Sequence, residues 1–219
     1  MIERFRDRTE GGQRLASLLR RYAGRDDVIV LALPRGGLPV ANEVARALDA
    51  PLDVFIVRKL GVPWQEELAM GALASGGIRF VNQEVVDMYG IGAEDVERAT
   101  GEQQVELERR EKLYRGDRPP PDLAGKTVIL VDDGLATGSS MRAAVNAVRT
   151  QRPSVVVVAV PVAAPETCEL FRTIADDVVC AMTPEPFQAV GLWYQDFTQT
   201  TDDEVREILG ESRLRALRP

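Results

Sequence analysis

Short runs of β-branched and aliphatic residues alternate with stretches of helical periodicity along most of this chain, and that alternation narrows the fold more than any other feature. Strands are expected at Val28–Leu33, Leu52–Val57, Thr127–Val131, Val155–Val160 and Val178–Met182. Continuous apolar runs of this kind belong to parallel strands covered on both faces. Between them, Leu38–Leu48, Met141–Val148 and Glu166–Ile174 carry apolar residues at helical spacing. The expected fold class is α/β, a mostly parallel central sheet flanked by helices. In such sheets ligands collect beyond the carboxyl ends of the strands, so the loops that follow the strands are the places to seek function.

Composition removes several classes of function. The net charge of −7 argues against a nucleic-acid interface, which needs a basic face. There is no histidine, which excludes His-based triads and His-ligated metals. No apolar run is long enough to span a membrane, and the first two dozen residues carry charges where a signal peptide needs an apolar core, so a cytoplasmic protein is expected. Cys168 and Cys180 fall in an expected helix and strand, and read as separate small apolar residues of a reducing compartment.

The densest chemistry lies at Val128–Ser140, VILVDDGLATGSS. A buried strand runs into Asp132 and Asp133, and a loop of small and hydroxyl residues, Ala136, Thr137, Gly138, Ser139 and Ser140, leads into the next helix. A helix N-terminus offers unpaired N–H groups and the positive end of a dipole, which favour an anion. The adjacent carboxylates can accept hydrogen bonds from a diol while a divalent cation balances their charge. A sugar phosphate fits both ends. A plain strand, turn and capped helix would need neither the paired acids nor the hydroxyl-flanked glycine. No lysine stands where a Walker A loop needs one, which sets a nucleotide-binding ATPase aside.

This stretch resembles the phosphoribosyl pyrophosphate (PRPP) motif of type I phosphoribosyltransferases. The resemblance implies that Asp132 and Asp133 hold the ribose hydroxyls and that Ala136–Ser140 wrap the 5-phosphate. Two other loops then take on meaning. Pro34-Arg35-Gly36-Gly37, after the first strand, is similar to the family's pyrophosphate loop, whose peptide is often cis. Arg58 and Lys59, expected where the second strand ends, match the basic contact to pyrophosphate. The implied cofactor is Mg2+, held mainly through PRPP and water, with Asp132 and Asp133 as candidate protein ligands. Asp133 also matches a position discussed as general base, and Asp133, Arg58 and Lys59 are the implied catalytic residues.

One domain is expected over residues 1–219, with a core at about 28–182. Roughly seventy residues separate the second and third strands, far more than an ordinary crossover needs. Residues 61–121 are therefore an insertion. It begins as a hairpin turning at Ser75–Gly77, where the family carries a flap, with Glu66 and Glu67 able to face the site. A charged, solvent-bridging helix at Glu102–Tyr114 follows, with Glu106–Arg110 and Glu108–Lys112 at i, i+4, and then a proline-rich connector at Arg118–Pro121. Residues 183–199 concentrate four of the twelve aromatic residues and are similar to the hood that binds the base in purine enzymes. Phe187, Val190, Trp193 and Asp196 are the base-binding candidates. Asp196 falls one residue later than in those enzymes, which leaves the base open. A last helix is expected within 201–216, beginning at Asp202.

The resemblance implies transfer of the phosphoribosyl group of PRPP to a nitrogenous base with release of pyrophosphate, in a homodimer. A second class of function stays open beside it, a regulator that senses PRPP or a nucleotide on the same fold without useful turnover.

Overall fold

The computed structural model describes residues 4–216. The chain opens with helix α1 (Arg8–Leu18), and a short 3-10 turn (Arg20–Tyr22) leads into strand β1 (Val28–Ala32). Helix α2 (Gly37–Leu48) and strand β2 (Leu52–Val54) follow. The insertion supplies β3 (Val57–Val62), β4 (Gln65–Ala74), β5 (Ile78–Val81), α3 (Gln83–Tyr89) and α4 (Ala93–Arg115). The core resumes with β6 (Thr127–Val131), α5 (Ser139–Thr150), β7 (Val155–Val162), α6 (Pro165–Phe171) and β8 (Asp177–Met182). A 3-10 turn at Val190–Trp193 and helix α7 (Asp202–Ala216) complete it.

The central sheet is parallel throughout, in the order β2-β1-β6-β7-β8. Alternate residues of each strand enter different cores, as the period of two requires. Val28, Val30 and Ala32 of β1 pack with Leu38, Val40 and Val44 of α2, whereas Ile29 and Leu31 pack on the face that holds Met141, Val145 and Val148 of α5. Strands β1 and β6 are neighbours whose following helices cover opposite faces. That is the switch point at which a crevice opens beyond the carboxyl ends of an α/β sheet.

The insertion departs from the sequence reading in two places. The expected strand Leu52–Val57 divides: Leu52–Val54 stays beside β1, and Val57 begins β3 in a separate antiparallel sheet ordered β3-β4-β5. Phe55 and Ile56 between them are buried, so an unbroken apolar run hides the crossing from one sheet to the other. The hairpin turn falls at Ser75–Gly77 as expected, with Ala74 facing Ile78 across it. The charged helix is longer than expected and is anchored rather than solvent-bridging: Val96, Leu107, Tyr114 and Arg115 are buried. Arg115 donates from Nε to both oxygens of Asp53, at 3.1 and 3.2 Å, and fastens α4 to β2. Of the two expected charge pairs, Glu106–Arg110 forms at 2.7 Å, while Lys112 turns to Asp117.

The reading of the cysteines is also corrected. Cys168 of α6 and Cys180 of β8 are bonded as a disulfide. The β7–α6–β8 crossover folds the helix back over the last strand and sets two residues distant in local pattern side by side. No described helix is long and apolar enough to cross a membrane.

Candidate functional site

The site is built where β1 and β6 end. Thr127–Val131 is buried at every position, and the chain leaves the sheet at Asp132. The loop that follows is pinned from several sides. Leu135 donates its N–H to the Val162 carbonyl at 2.9 Å, Thr167 donates its hydroxyl to the Ala136 carbonyl at 2.6 Å, and Tyr194 donates its hydroxyl to the Asp133 carbonyl at 2.6 Å. Gly138 takes the left-handed φ of 68° that starts α5, and a Cβ there would lie 2.5 Å from Phe171. The N-terminus of α5 receives no side-chain cap, so its N–H groups face the loop cavity. Thr137 and Ser140 are exposed, and the Thr137 and Ser139 hydroxyls are 3.3 Å apart.

Across the crevice, the Pro34–Arg35 peptide is cis, and Leu33 donates its N–H to the Val131 carbonyl at 2.9 Å. The loop comes so close to the acid pair that a Cβ on Gly36 would overlap Oδ2 of Asp133. Glycine at that position is a requirement of packing, and it leaves backbone facing the acids. Arg35 reaches Asp202 of α7 at 3.7 Å, and Tyr114 of α4 donates its hydroxyl to the same carboxylate at 2.5 Å. Burial, with the neighbouring Asp202, pushes Tyr114 up to about 12, so it remains a donor at any working pH.

Both acids are driven toward their neutral forms. Burial, and then the charge of Asp133, raise Asp132 well above the usual carboxylate range. Burial raises Asp133 too, against the opposing pull of Arg8. Asp132 accepts the Asp133 N–H at 2.8 Å. Arg8, the first residue of α1, sets Nε and a terminal nitrogen each 2.9 Å from Oδ2 of Asp133, donates to the Thr198 carbonyl at 2.7 Å, and lies 3.9 Å over the Phe197 ring. The chain start, the acid pair and the hood are thereby one assembly, reinforced where the Phe5 N–H meets the Trp193 carbonyl at 2.9 Å.

Arg58 and Lys59 lie within β3 rather than in a loop at a strand end. Both line a cavity of about 530 Å³ between β3 and α4, which Ser140 also borders. Asp132, Pro34 and Ser140 line an adjoining space of about 100 Å³, together with Arg110 of α4. Arg58 donates to Gln103 at 2.9 Å, and burial, followed by repulsion from Arg110, lowers its pKa. Two guanidinium groups that repel each other beside a phosphate-type loop are matched to a polyanion.

The hood candidates separate. A Cβ on Gly134 would lie 2.5 Å from Val190, so Val190 borders the acid-pair loop. Trp193 is buried with Phe5, Val162 and Tyr194, and Phe187 stacks on it with centroids 6.4 Å apart and planes at 18°. Asp196 is exposed and accepts both the N–H and the hydroxyl of Thr198, at 2.9 and 2.6 Å, which hold its pKa low. The side chains of Glu66 and Glu67 lie outside the described residues. Arg8, Arg110, Tyr194 and Asp202 were not read as site residues from the sequence, where Arg110 figured as a helix charge pair and Asp202 as a helix start. The sequence signal near Arg8 is the Asp-x-x-Glu start of α1, in which Asp7 accepts the Glu10 N–H at 2.8 Å.

These features bring the acid pair, the uncapped helix and the arginines to one crevice. Residues 1–192 match the phosphoribosyl transferase domain family. The chain belongs to that family. A protein of Mycobacterium tuberculosis (strain H37Rv) named "Putative phosphoribosyl transferase Rv0571c" is 46% identical over 205 residues, 94% of this chain and 46% of that protein. The chain thus spans about half the length of the curated relatives it matches first. The "Bifunctional protein PyrR" of Brevibacillus brevis is 32% identical over 125 residues, 53% of this chain and 67% of that one. Among solved structures, TT1426 from Thermus thermophilus is similar with a TM-score of 0.86 and 44% identity, covering 95% of this chain and 98% of that one. The parallel sheet, insertion and hood are those of a type I phosphoribosyltransferase fold.

Proposed function

We propose that this protein transfers the 5-phosphoribosyl group of PRPP to a nitrogen of a base and releases pyrophosphate. The observation that carries the reading is the recessed Asp132–Asp133 pair, set between the uncapped start of α5 and the close-packed Pro34–Gly37 loop. The α5 N–H groups and the hydroxyls of Thr137, Ser139 and Ser140 hold the 5-phosphate. Asp132 and Asp133 accept from the ribose hydroxyls. Arg35, Arg58, Lys59 and the backbone at Gly36 and Gly37 hold the pyrophosphate, with Arg110 beside them. Val190 and Phe187 border the base.

In the reaction the bond from the anomeric carbon to pyrophosphate breaks as a base nitrogen bonds to that carbon. The ring carries positive charge in between, as in glycoside cleavage. Fixed donors stabilise the departing charge without reorganising. Asp133 also accepts a proton where the incoming base must lose one, its affinity for that proton set by burial against Arg8.

Magnesium dependence is part of this proposal. No group of three or more potential ligands occurs among the described residues, whereas two recessed carboxylates suit an ion that arrives with the substrate. Asp132 and Asp133 would hold it, and it would offset the charge of the diphosphate. A cytoplasmic location and a homodimer complete the reading. Trp64, Met88, Tyr89 and Val105 are exposed large apolar side chains of the insertion, which contact between copies would cover.

The test is pyrophosphate release from PRPP and magnesium across purine, pyrimidine and pyridine bases. Release with one base, falling by about two orders of magnitude or more in Asp132→Asn with Asp133→Asn, is expected. PRPP binding with no release from any base would remove the transferase reading.

A further inference from the structure

A second cavity, of about 620 Å³, lies toward the other end of the sheet from the acid pair. The last turn of α2, the start of β2, the connector before β6 and the last turns of α7 frame it. Its volume is within the range of small-molecule sites. Arg46 on its wall stands about 14 Å along α2 from Gly37, at 1.5 Å per residue.

Four arginines line the cavity: Arg46, Arg118, Arg213 and Arg215. The acids present are Asp49 and Asp53, and Asp53 is taken up by Arg115 through both oxygens. Positive charge is thus in excess, beside an apolar wall of Pro51, Leu52 and Pro121. Arginines in the last turn of a helix commonly answer the helix's own dipole, and Arg46, Arg213 and Arg215 occupy such turns. Arg118, just past α4, does the same there, its Nε donating to the Arg115 carbonyl at 3.0 Å, and Arg46 also pairs with Glu43 at 3.4 Å. What goes beyond that explanation is the convergence: the ends of α2, α4 and α7 bring four guanidinium groups to one cavity, where Asp49 is the lining acid that Arg115 does not take up. Guanidinium groups gathered in this way match the oxygens of a phosphate.

We propose that this cavity is a second binding site, for an organic phosphate of nucleotide size. The arginines take the phosphate and the apolar wall takes the ring. The site is joined to the first through α7 and α4. Arg213 donates to the Tyr114 carbonyl at 3.1 Å, the Tyr114 hydroxyl donates to Asp202, and Asp202 pairs with Arg35. Arg215 donates to Asn42 of α2 at 2.7 Å. Occupancy therefore changes affinity for PRPP. That consequence rests on the function proposed above, whereas the binding itself does not.

Calorimetric titration with ADP tests it, using the full chain carrying Asp132→Asn and Asp133→Asn. One equivalent of ADP should bind, and adenosine should not. Adding Arg213→Gln and Arg215→Gln should weaken ADP at least tenfold, with the circular dichroism spectrum unchanged. Should that combination fail to fold, Arg46→Gln alters a side chain that is 56% exposed and should still weaken ADP severalfold. No ADP binding to the acid-pair variant, or affinity that ignores the arginine changes, would overturn the site. ADP binding to that variant, with a parent protein that releases no pyrophosphate from PRPP with any base, would keep the site and remove the function.

Discussion

Asp53 with Arg115 and Asp133 with Arg8 are the same chemical pair in two states of completion. Asp53 and Arg115 are 8% and 3% exposed, and their hydrogen bonds close within the pair and its neighbours. Arg115 donates to both Asp53 oxygens, to Glu111 at 2.9 Å and to the Val54 carbonyl at 2.5 Å, while the Val54 N–H adds a bond to Asp53 at 2.7 Å. Arg8 approaches Oδ2 of Asp133 alone, and burial still drives that acid toward its neutral form. A saturated pair holds two elements together; an unsaturated one beside an uncapped helix keeps capacity for a ligand. The difference separates scaffold from site more sharply than burial does.

The largest effect that would break this contrast concerns the open pair. Charge-assisted hydrogen bonds contribute about 1.5–3 kcal/mol each, so Asp132→Asn with Asp133→Asn should lower pyrophosphate release from PRPP by about two to four orders of magnitude. Steady-state assay at saturating magnesium checks it. Next comes the closed pair. Arg115→Met leaves Asp53 buried without its partner, which should cost about 3–5 kcal/mol and lower Tm by roughly 6–20 °C. The surviving folded protein should retain its affinity for PRPP, so equal losses of stability and binding would erase the distinction.

A smaller effect has the opposite sign. The folded-state pKa of Asp132 lies above its unfolded value, so the native state binds more protons between the two. The parent therefore loses stability as pH rises from the unfolded carboxylate range through the folded pKa. Asp132→Asn should raise stability by about 0.5–2 kcal/mol at pH 7, and the gain should fade as pH falls below about 3.9. Thermal melts at both pH values measure it. Smallest is Tyr194→Phe, which removes one hydrogen bond to the Asp133 carbonyl and should cost about 0.5–1.5 kcal/mol. Its value lies in whether PRPP affinity falls with stability, since only a hood that positions the acid loop links the two.

The parallel sheet and the course of the Val128–Ser140 loop were legible because each depends on local pattern: continuous apolar runs for strands covered on both faces, and small residues where a backbone must pass close to its neighbours. Gly36 shows the same rule, its need for glycine set by Asp133 across the crevice. The crossing at Phe55–Ile56 was not legible, since the apolar pattern continues unbroken while the chain changes sheets. The disulfide depended on how α6 folds over β8, which no spacing in the sequence encodes. Arg110 stood in a helix of many charges, and only the placement of α4 over the acid pair distinguishes it from its exposed neighbour Arg109. Trp193 looked like a surface for a base because it is aromatic; packing against Phe5 made it part of the hood's own core.

The most direct measurement is calorimetric titration of PRPP with magnesium into three proteins: the parent, Asp132→Asn with Asp133→Asn, and Arg115→Met below its melting range. PRPP should bind the parent and the Arg115 variant alike and fail to bind the acid-pair variant. Unchanged affinity in the acid-pair variant would contradict the assignment of Asp132 and Asp133 as the ligand-holding pair.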